Sequence, residues 1–120
     1  MMTERQIVWD IQTGDSATFR LRAMAPEGGI FCGKVRFIPS VTIAEHATNT
    51  WTFSVEVNTV DATTTAVSNA AQALTADADY AIVVDPVLVA AGDLIEIVGT
   101  KAASAVDQSG TNFRASGRIS

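Results

Sequence analysis

The side chain best suited to acid–base or metal chemistry in this chain is its single histidine, His46. It lies in a polar connector, residues 44–49, and the sequence has no Gly-x-Ser-x-Gly turn of the kind that presents a nucleophilic serine. Most histidine-based metal sites need more than one such ligand. We therefore expect His46 to be a surface loop residue, and we predict neither a catalytic triad nor a metal site around it.

Cys32, the only cysteine, raises the question of a nucleophilic thiol. It stands in the apolar stretch 30–33, and nothing nearby marks a partner that would activate it. A free cysteine in an apolar strand is usually a small core residue, and we favour that interpretation over a reactive thiol. One cysteine also allows no intrachain disulfide, which fits synthesis in a cytosol.

Carboxylates are concentrated in the middle of the chain, where oxygen ligands for calcium are another candidate chemistry. Between Arg36 and Lys101 there is no Lys or Arg, and this stretch holds eight acidic residues. Calcium loops of known type have regularly spaced ligands, and neither such a loop nor an Asp-Gly repeat is present. We therefore expect solvated acidic loops and predict no metal, no cofactor and no enzymatic activity. The carboxylates concerned include Asp77, Asp79, Asp85, Asp93 and Glu96.

The basic residues form a more informative pattern, because several occupy the polar side of predicted strands. The net charge of −5 and the pI near 4.6 argue against general nucleic-acid binding. If the strands concerned are neighbours, their cations form one cationic face on an acidic protein. Such residues are either solvent-exposed charges balanced by nearby acids or contacts for an acidic protein partner. The candidate interface residues are Arg20, Arg22, Lys34, Arg36, Arg114 and Arg118.

Composition and periodicity both predict that strands position these side chains. Val, Ile and Thr number 13, 9 and 14, against 4 Leu. Their β-branched side chains lose χ1 freedom in a helix and pack well on a pleated surface. Apolar and polar residues alternate most clearly in residues 50–58. The other predicted strands are 7–11, 19–23, 35–37, 80–84, 94–98 and 113–119, with a short piece at 41–43 and a long loop at 100–111.

A proline and an alanine-rich segment interrupt this alternation. Asp85-Pro86 is expected to close the strand 80–84, because proline cannot donate to a strand ladder. Residues 63–78 allow two interpretations. They fit a short helix after a Ser68 cap, and they also fit a loop with two brief strands.

The number and spacing of the strands predict one compact all-β domain. Seven to nine short strands separated by turn signals call for two packed antiparallel sheets, in a Greek-key or jelly-roll sandwich. We assign residues 1–120 to this domain, with 1–12 as an N-terminal arm or first strand. No apolar run approaches the roughly 18 residues of a membrane span, and no signal peptide is predicted.

Five segments resemble strands of the small jelly-roll virion proteins of tailed bacteriophages. They are TFRLRA (18–23), GKVRF (33–37), TFSVEVN (52–58), VAAGDLIEI (89–97) and NFRASGRI (112–119), and the resemblance spans residues 17–120. It implies a non-enzymatic virion structural protein. Foremost, it implies a capsid decoration or cement protein that binds and stabilises the phage head shell.

The same resemblance implies a partner and a location. The partner would be the major capsid protein or another virion protein, and the chain would act as a homo-oligomer, most often a trimer. It would be synthesised in the host cytoplasm and end on the capsid surface, without binding nucleic acid or membrane. Residues 1–12 would pair with a neighbouring subunit as an added strand. The cationic residues would face an acidic shell surface.

The alternative function is a carbohydrate- or receptor-binding jelly-roll module of a phage fibre or tail. It requires an exposed aromatic platform, for which Trp9, Trp51 and Tyr80 are the candidates. Both tryptophans fall on the apolar side of predicted strands, so we expect them in the core.

Overall fold

Strands make up most of the computed structural model, which describes residues 5–7, 9–11, 18–102, 104–106, 108 and 112–119. They account for 60% of it, and no helix occurs among the described residues. Two antiparallel sheets pack against each other, which confirms the predicted all-β sandwich. The strands are β1 (Arg5–Ile7), β2 (Asp10–Ile11), β3 (Thr18–Met24), β4 (Gly29–Pro39), β5 (Trp51–Val57), β6 (Val60–Asp61), β7 (Thr63–Thr65), β8 (Val67–Ser68), β9 (Tyr80–Val89), β10 (Leu94–Lys101) and β11 (Phe113–Ile119).

Each sheet combines strands from both halves of the chain. The five-stranded sheet has the order β1-β11-β4-β9-β7, and the six-stranded sheet has the order β2-β3-β10-β5-β6, with β8 also paired to β5. Early strands pair with late strands in reverse order: β1 with β11, β3 with β10, β4 with β9, and β5 with β6. A long antiparallel hairpin wrapped in this way into two sheets is a jelly roll.

The core between the sheets is filled largely by aromatic side chains. Phe19, Phe37, Trp51, Phe53 and Phe113 are each at most 1% exposed. Centroids of contacting rings lie between 4.5 and 6.0 Å apart, within the range of favourable aromatic pairs. Along β5, fully buried residues alternate with more exposed ones, as its sequence predicts. This cluster holds the apolar side of each contributing strand toward the core.

Two glycines make room for the aromatic packing. Gly99 on β10 lies opposite Phe19 on β3 and Phe53 on β5. A Cβ atom at Gly99 would come within 2.6 Å of the Phe19 ring. The Trp9 ring approaches Gly117 on β11 in the same way, at 2.8 Å from an added Cβ. Neither position accepts a larger residue unless a ring moves.

Strand β9 does not end at Asp85-Pro86, so the predicted boundary is wrong. The strand continues to Val89, because its pairing with β4 shifts register at this point. Between Phe31 and Gly33, β4 has one residue where β9 has two. A proline is tolerated at such a bulge, since the ladder of hydrogen bonds is already interrupted there.

For residues 63–78, the helix is wrong and the loop with two brief strands is confirmed. β7 pairs with β9, and β8 pairs with β5. Further along, Leu74 and Ile43 exchange both backbone N–H···O hydrogen bonds at 2.8 Å, and the predicted piece at 41–43 corresponds to this bridge. Tertiary partners thus satisfy backbone groups that a helix would have satisfied internally.

Besides β9, strands β4 and β10 are longer than predicted. β4 begins at Gly29, and β10 continues to Lys101, into the predicted loop 100–111. Each extension runs beside a partner strand, as at the pair Lys101–Trp51, and the partner satisfies backbone groups where alternation in the sequence is weak. Of that loop, residues 103, 107 and 109–111 lie outside the described residues.

The N-terminal segment reaches both sheets. β1 pairs with β11 at an edge of the five-stranded sheet, and β2 pairs with β3 at an edge of the six-stranded sheet. Trp9, between these two strands, is 8% exposed and belongs to the core. The described residues of segment 1–12 therefore form edge strands within their own chain; residues 1–4, 8 and 12 lie outside the described part.

Candidate functional site

The six predicted interface residues do not form one face, because the sandwich separates them. Arg20 and Arg22 lie on β3 in the six-stranded sheet, whereas the other four belong to the five-stranded sheet. Strands β3 and β4 are consecutive in the chain, but the jelly roll places them in different sheets. Only β4 and β11 meet the condition of being neighbours. They carry Lys34, Arg36, Arg114 and Arg118.

We call the outer side formed by Lys34, Arg36, Arg114 and Arg118 the cationic face. All four side chains are exposed on adjacent antiparallel strands. Ser116 lies directly opposite Arg36, which places Arg114 and Arg118 to either side of it along β11. The sheet thus groups four cations on a chain whose net charge is −5.

Among the described residues, two carboxylates pair with Arg36 and Arg114 of this face. Arg36 Nε donates to Asp79 Oδ2 at 3.0 Å, and Arg114 Nη2 lies 3.6 Å from Asp77 Oδ1. The hydrogen bond and the charge of Asp79 raise the pKa of Arg36 above its ordinary value. The side chains of Arg36 and Arg114 nevertheless remain 61% and 71% exposed. Water screens both pairs, so an acidic partner can compete for the guanidinium groups.

An exposed apolar pair lies on the same outer side of the five-stranded sheet. Ile30 on β4 lies opposite Leu88 on β9, and they are 36% and 78% exposed. Both point away from the core, since their chain neighbours Phe31 and Val89 are buried. Single exposed apolar residues are common on surfaces, and contiguous exposed apolar surface is the kind that marks interaction sites.

On the opposite sheet, Arg20 and Arg22 form ion pairs with Glu56 and Glu96. Arg20 Nη1 lies 3.1 Å from Glu56 Oε1 and 3.3 Å from Glu96 Oε1, and Arg22 Nε donates to Glu96 Oε2 at 2.8 Å. The hydrogen bond with Glu56, supported by the charges of both glutamates, raises the pKa of Arg20. These two arginines therefore match the interpretation of cations balanced by nearby acids.

A cavity of about 340 Å³, which we call the loop pocket, opens where β5 begins and β10 ends. Its walls come from residues 42–46 and 49, the start of β5, and the chain beyond β10. Asn69 is 2% exposed and holds these walls together. Its Oδ1 accepts from the backbone N–H of Trp51, and its Nδ2 donates to the Ala44 carbonyl, both at 2.8 Å.

His46 is an exposed residue of this pocket, so its predicted place in a surface loop is confirmed. Its Nδ1 accepts the backbone N–H groups of Thr48 at 3.1 Å and Asn49 at 2.9 Å. A ring nitrogen that accepts these bonds carries no proton, so the proton of the neutral ring resides on Nε2. The loop conformation therefore selects the tautomer.

The aromatic residues do not provide a sugar-stacking platform. Trp9 and Trp51 are buried, as expected for core residues. Tyr80 is half-buried, and its hydroxyl accepts from the Thr75 backbone N–H at 2.7 Å and donates to the Ala73 carbonyl at 3.2 Å. This tyrosine ties down the loop that precedes β9.

The carboxylates considered for calcium have other partners. Apart from the two at the cationic face, Asp85 accepts from the Thr64 hydroxyl at 2.6 Å, and Asp93 accepts from the Ala90 backbone N–H at 2.8 Å. No group of three or more His, Cys, Asp or Glu among the described residues could hold a metal ion. Cys32 belongs to β4, and its side chain lies outside the described part, so its assignment to the core stays a prediction.

Sequence reasoning missed the loop pocket and the role of Asn69. An asparagine between Ser68 and a run of alanines carries no pattern that predicts burial. Its partners, Trp51 and Ala44, are 18 and 25 residues away in the chain. Only the folded arrangement of the three segments makes Asn69 a buried anchor.

No model of a protein family matches the chain, and no curated protein matches it. Among the residues that the structure describes, no helix is long and apolar enough to cross a membrane.

Proposed function

We propose that this protein is a non-enzymatic virion structural protein of a tailed phage, a decoration or cement protein that binds the head shell and stabilises it. The observation that carries the proposal is the cationic face with the neighbouring Ile30–Leu88 pair. The resemblance of five strand segments to small jelly-roll virion proteins indicates which kind of partner this face would meet.

An acidic protein surface fits this face better than nucleic acid does. A net charge of −5 repels a polyanion at long range, whereas a protein partner presents its carboxylates locally. The exposed Leu88 also needs an apolar counterpart, which a protein surface supplies and a phosphate backbone does not. We therefore propose the outer surface of the major capsid protein as the partner, with the capsid surface as the location.

We further propose that the protein works as a homo-oligomer, with the trimer favoured. Each cationic face presents four cations, so one copy would make few contacts with the shell. A symmetric oligomer repeats the face and binds a repetitive shell through several copies at once, which raises the overall affinity without new contacts.

Binding of the purified protein to phage heads that lack it tests the surface. We expect the double variant Arg36→Gln/Arg114→Gln to bind about tenfold more weakly in co-sedimentation. The two guanidinium groups supply charge complementarity to the acidic partner surface, and the variant lacks both. The matched control is Thr52→Glu/Gln72→Glu, which changes the net charge equally at exposed positions outside the cationic face. Equal binding by the arginine variant and the parent would contradict the proposed surface.

Quantitative mass spectrometry of purified particles tests the location. A copy number comparable to that of the shell protein is expected for a decoration protein. A handful of copies would overturn the decoration role in favour of a fibre, neck or tail. Absence from particles would overturn the virion role altogether.

A further inference from the structure

The loop pocket is a second concave surface that shell binding does not use. Its volume of about 340 Å³ falls at the lower end of small-molecule sites, which span about 300–1,000 Å³. That size suits one ring-sized ligand. The apolar part of its lining includes Ile43, Ala105 and Val106.

Hydrogen bonds between distant segments preorganise the pocket. Trp51 Nε1 donates to the Val106 carbonyl at 2.7 Å, and Asn49 Oδ1 accepts from the Ser104 backbone N–H at 3.1 Å. Together with Asn69, these bonds connect the loop before β5 to the chain beyond β10. A site built in the free protein loses less conformational entropy when a ligand binds.

Three polar side chains of the lining, His46, Asn49 and Gln108, use an acceptor atom within the protein and retain donors. His46 accepts through Nδ1 and keeps Nε2–H. Asn49 accepts through Oδ1, and Gln108 Oε1 accepts from Asn112 Nδ2 at 3.0 Å. Neither side-chain amide nitrogen of Asn49 and Gln108 donates to another described residue. The exposed carboxylate of Glu45 adds a strong acceptor at the same cavity.

We propose that the loop pocket binds a single sugar ring. Its hydroxyl oxygens accept from His46, Asn49 and Gln108, one hydroxyl donates to Glu45, and its C–H face packs on the apolar lining. No Lys or Arg is among the described residues that line the cavity, so a phosphate or carboxylate ligand would find the Glu45 charge without a counter-charge from them. A neutral ligand with several hydroxyls and one apolar face meets all of these conditions.

An NMR titration with simple sugars tests this site, because the two indoles report on different places. Trp51 lines the pocket, whereas Trp9 packs on Gly117 and does not line it. The probes are the methyl glycosides of glucose, galactose and mannose, and N-acetylglucosamine. We expect at least one of them to shift the Trp51 indole N–H signal and leave the Trp9 signal in place; Trp9→Phe assigns the two signals.

Matched variants complete the test. Glu45→Ala is expected to weaken binding of the active probe about tenfold, since a hydrogen bond to a charged acceptor is lost. Glu27→Ala, in the turn between β3 and β4 at the other end of the sandwich, is expected to bind normally. If no probe shifts the Trp51 signal, or if the shift survives Glu45→Ala unchanged, the sugar site is wrong.

Two further experiments complete the design. One distinguishes a glycan chain from a free sugar, and the other distinguishes failure of sugar binding from failure of shell binding. Tighter binding of an oligosaccharide of the same sugar would identify a glycan chain as the ligand, and equal affinity would identify the free sugar. Arg36→Gln/Arg114→Gln leaves the pocket intact and is expected to retain the Trp51 shift. Head binding and sugar binding can therefore fail independently.

Discussion

Among individual residues, Glu96 is a buried carboxylate that two arginines bind. It sits on the central strand β10 with 2% of its surface exposed, yet it is flanked by two arginines that reach its separate oxygens. A carboxylate removed from water is stable only when donors replace the water. Arg20 and Arg22 supply these donors, which gives them a structural role on the six-stranded sheet.

Glu96→Ala is expected to lower the free energy of unfolding by about 2 kcal/mol, because charge-assisted hydrogen bonds to both arginines are lost. Glu56→Ala serves as the control, since that side chain is 21% exposed and bonds to one arginine. Its expected loss is below about 1 kcal/mol. Urea denaturation of both variants measures the difference, and equal losses would show that burial of Glu96 is not decisive.

Gly99→Ala is expected to destabilise the protein by about 1–3 kcal/mol, because the new Cβ collides with the buried Phe19 ring. Combining it with Phe19→Leu, which removes the ring, should recover part of the loss. A double-mutant cycle from denaturant unfolding measures this coupling. Strictly additive effects would mean that the ring does not limit residue size at position 99.

At the level of the strand, the bulge between β4 and β9 explains why a proline lies within a ten-residue strand. The strand bends at the bulge, and one of its residues is left out of the hydrogen-bond ladder. The missing N–H of Pro86 therefore removes no hydrogen bond from the ladder. Gly33, next to the bulge on β4, has a φ of 85°. Residues with a Cβ atom disfavour this conformation.

Gly33→Ala is expected to cost about 1–2 kcal/mol of stability through its positive φ. Nothing lies within 4 Å of an added Cβ there, so steric collision does not contribute. Gly33→Asn should cost less, since asparagine tolerates this region better. Thermal or urea unfolding of the two variants decides the matter: an alanine variant as stable as the parent would contradict a backbone origin.

Over the whole molecule, charge is distributed unequally between the two outer sides of the sandwich. Lys34, Arg36, Arg114 and Arg118 lie exposed on one sheet of an acidic chain, whereas Arg20 and Arg22 on the other sheet pair with the more buried Glu56 and Glu96. Such asymmetry orients a protein during association with a charged partner.

The proposed shell binding is therefore expected to weaken as salt increases, because the Debye length falls from about 10 Å at 0.1 M to about 3 Å at 1 M. Leu88→Ser should lower affinity at every salt concentration, whereas Arg36→Gln should matter mainly at low salt. Co-sedimentation with heads across a sodium chloride series measures both. Salt-independent binding by the parent would remove the electrostatic role of the cationic face.

Much of the fold follows from patterns within single segments. Alternation along residues 50–58 predicted β5 and its inward side, and the apolar positions of Trp9 and Trp51 predicted their burial. The polar neighbours of His46 likewise predicted an exposed loop. These properties are local, because the period of a strand decides which side of it is apolar whatever lies next to it.

The tertiary structure decided three features. They are the separation of the cations onto two sheets, the continuation of β9 through Pro86 and the loop pocket. Arg22 and Lys34 are close in sequence, yet the jelly roll sends their strands to opposite sheets. Asn69 becomes an anchor only when Trp51 and Ala44 meet it. Such features depend on which segments become neighbours, and that choice minimises the free energy of the whole core and cannot be read from any one strand.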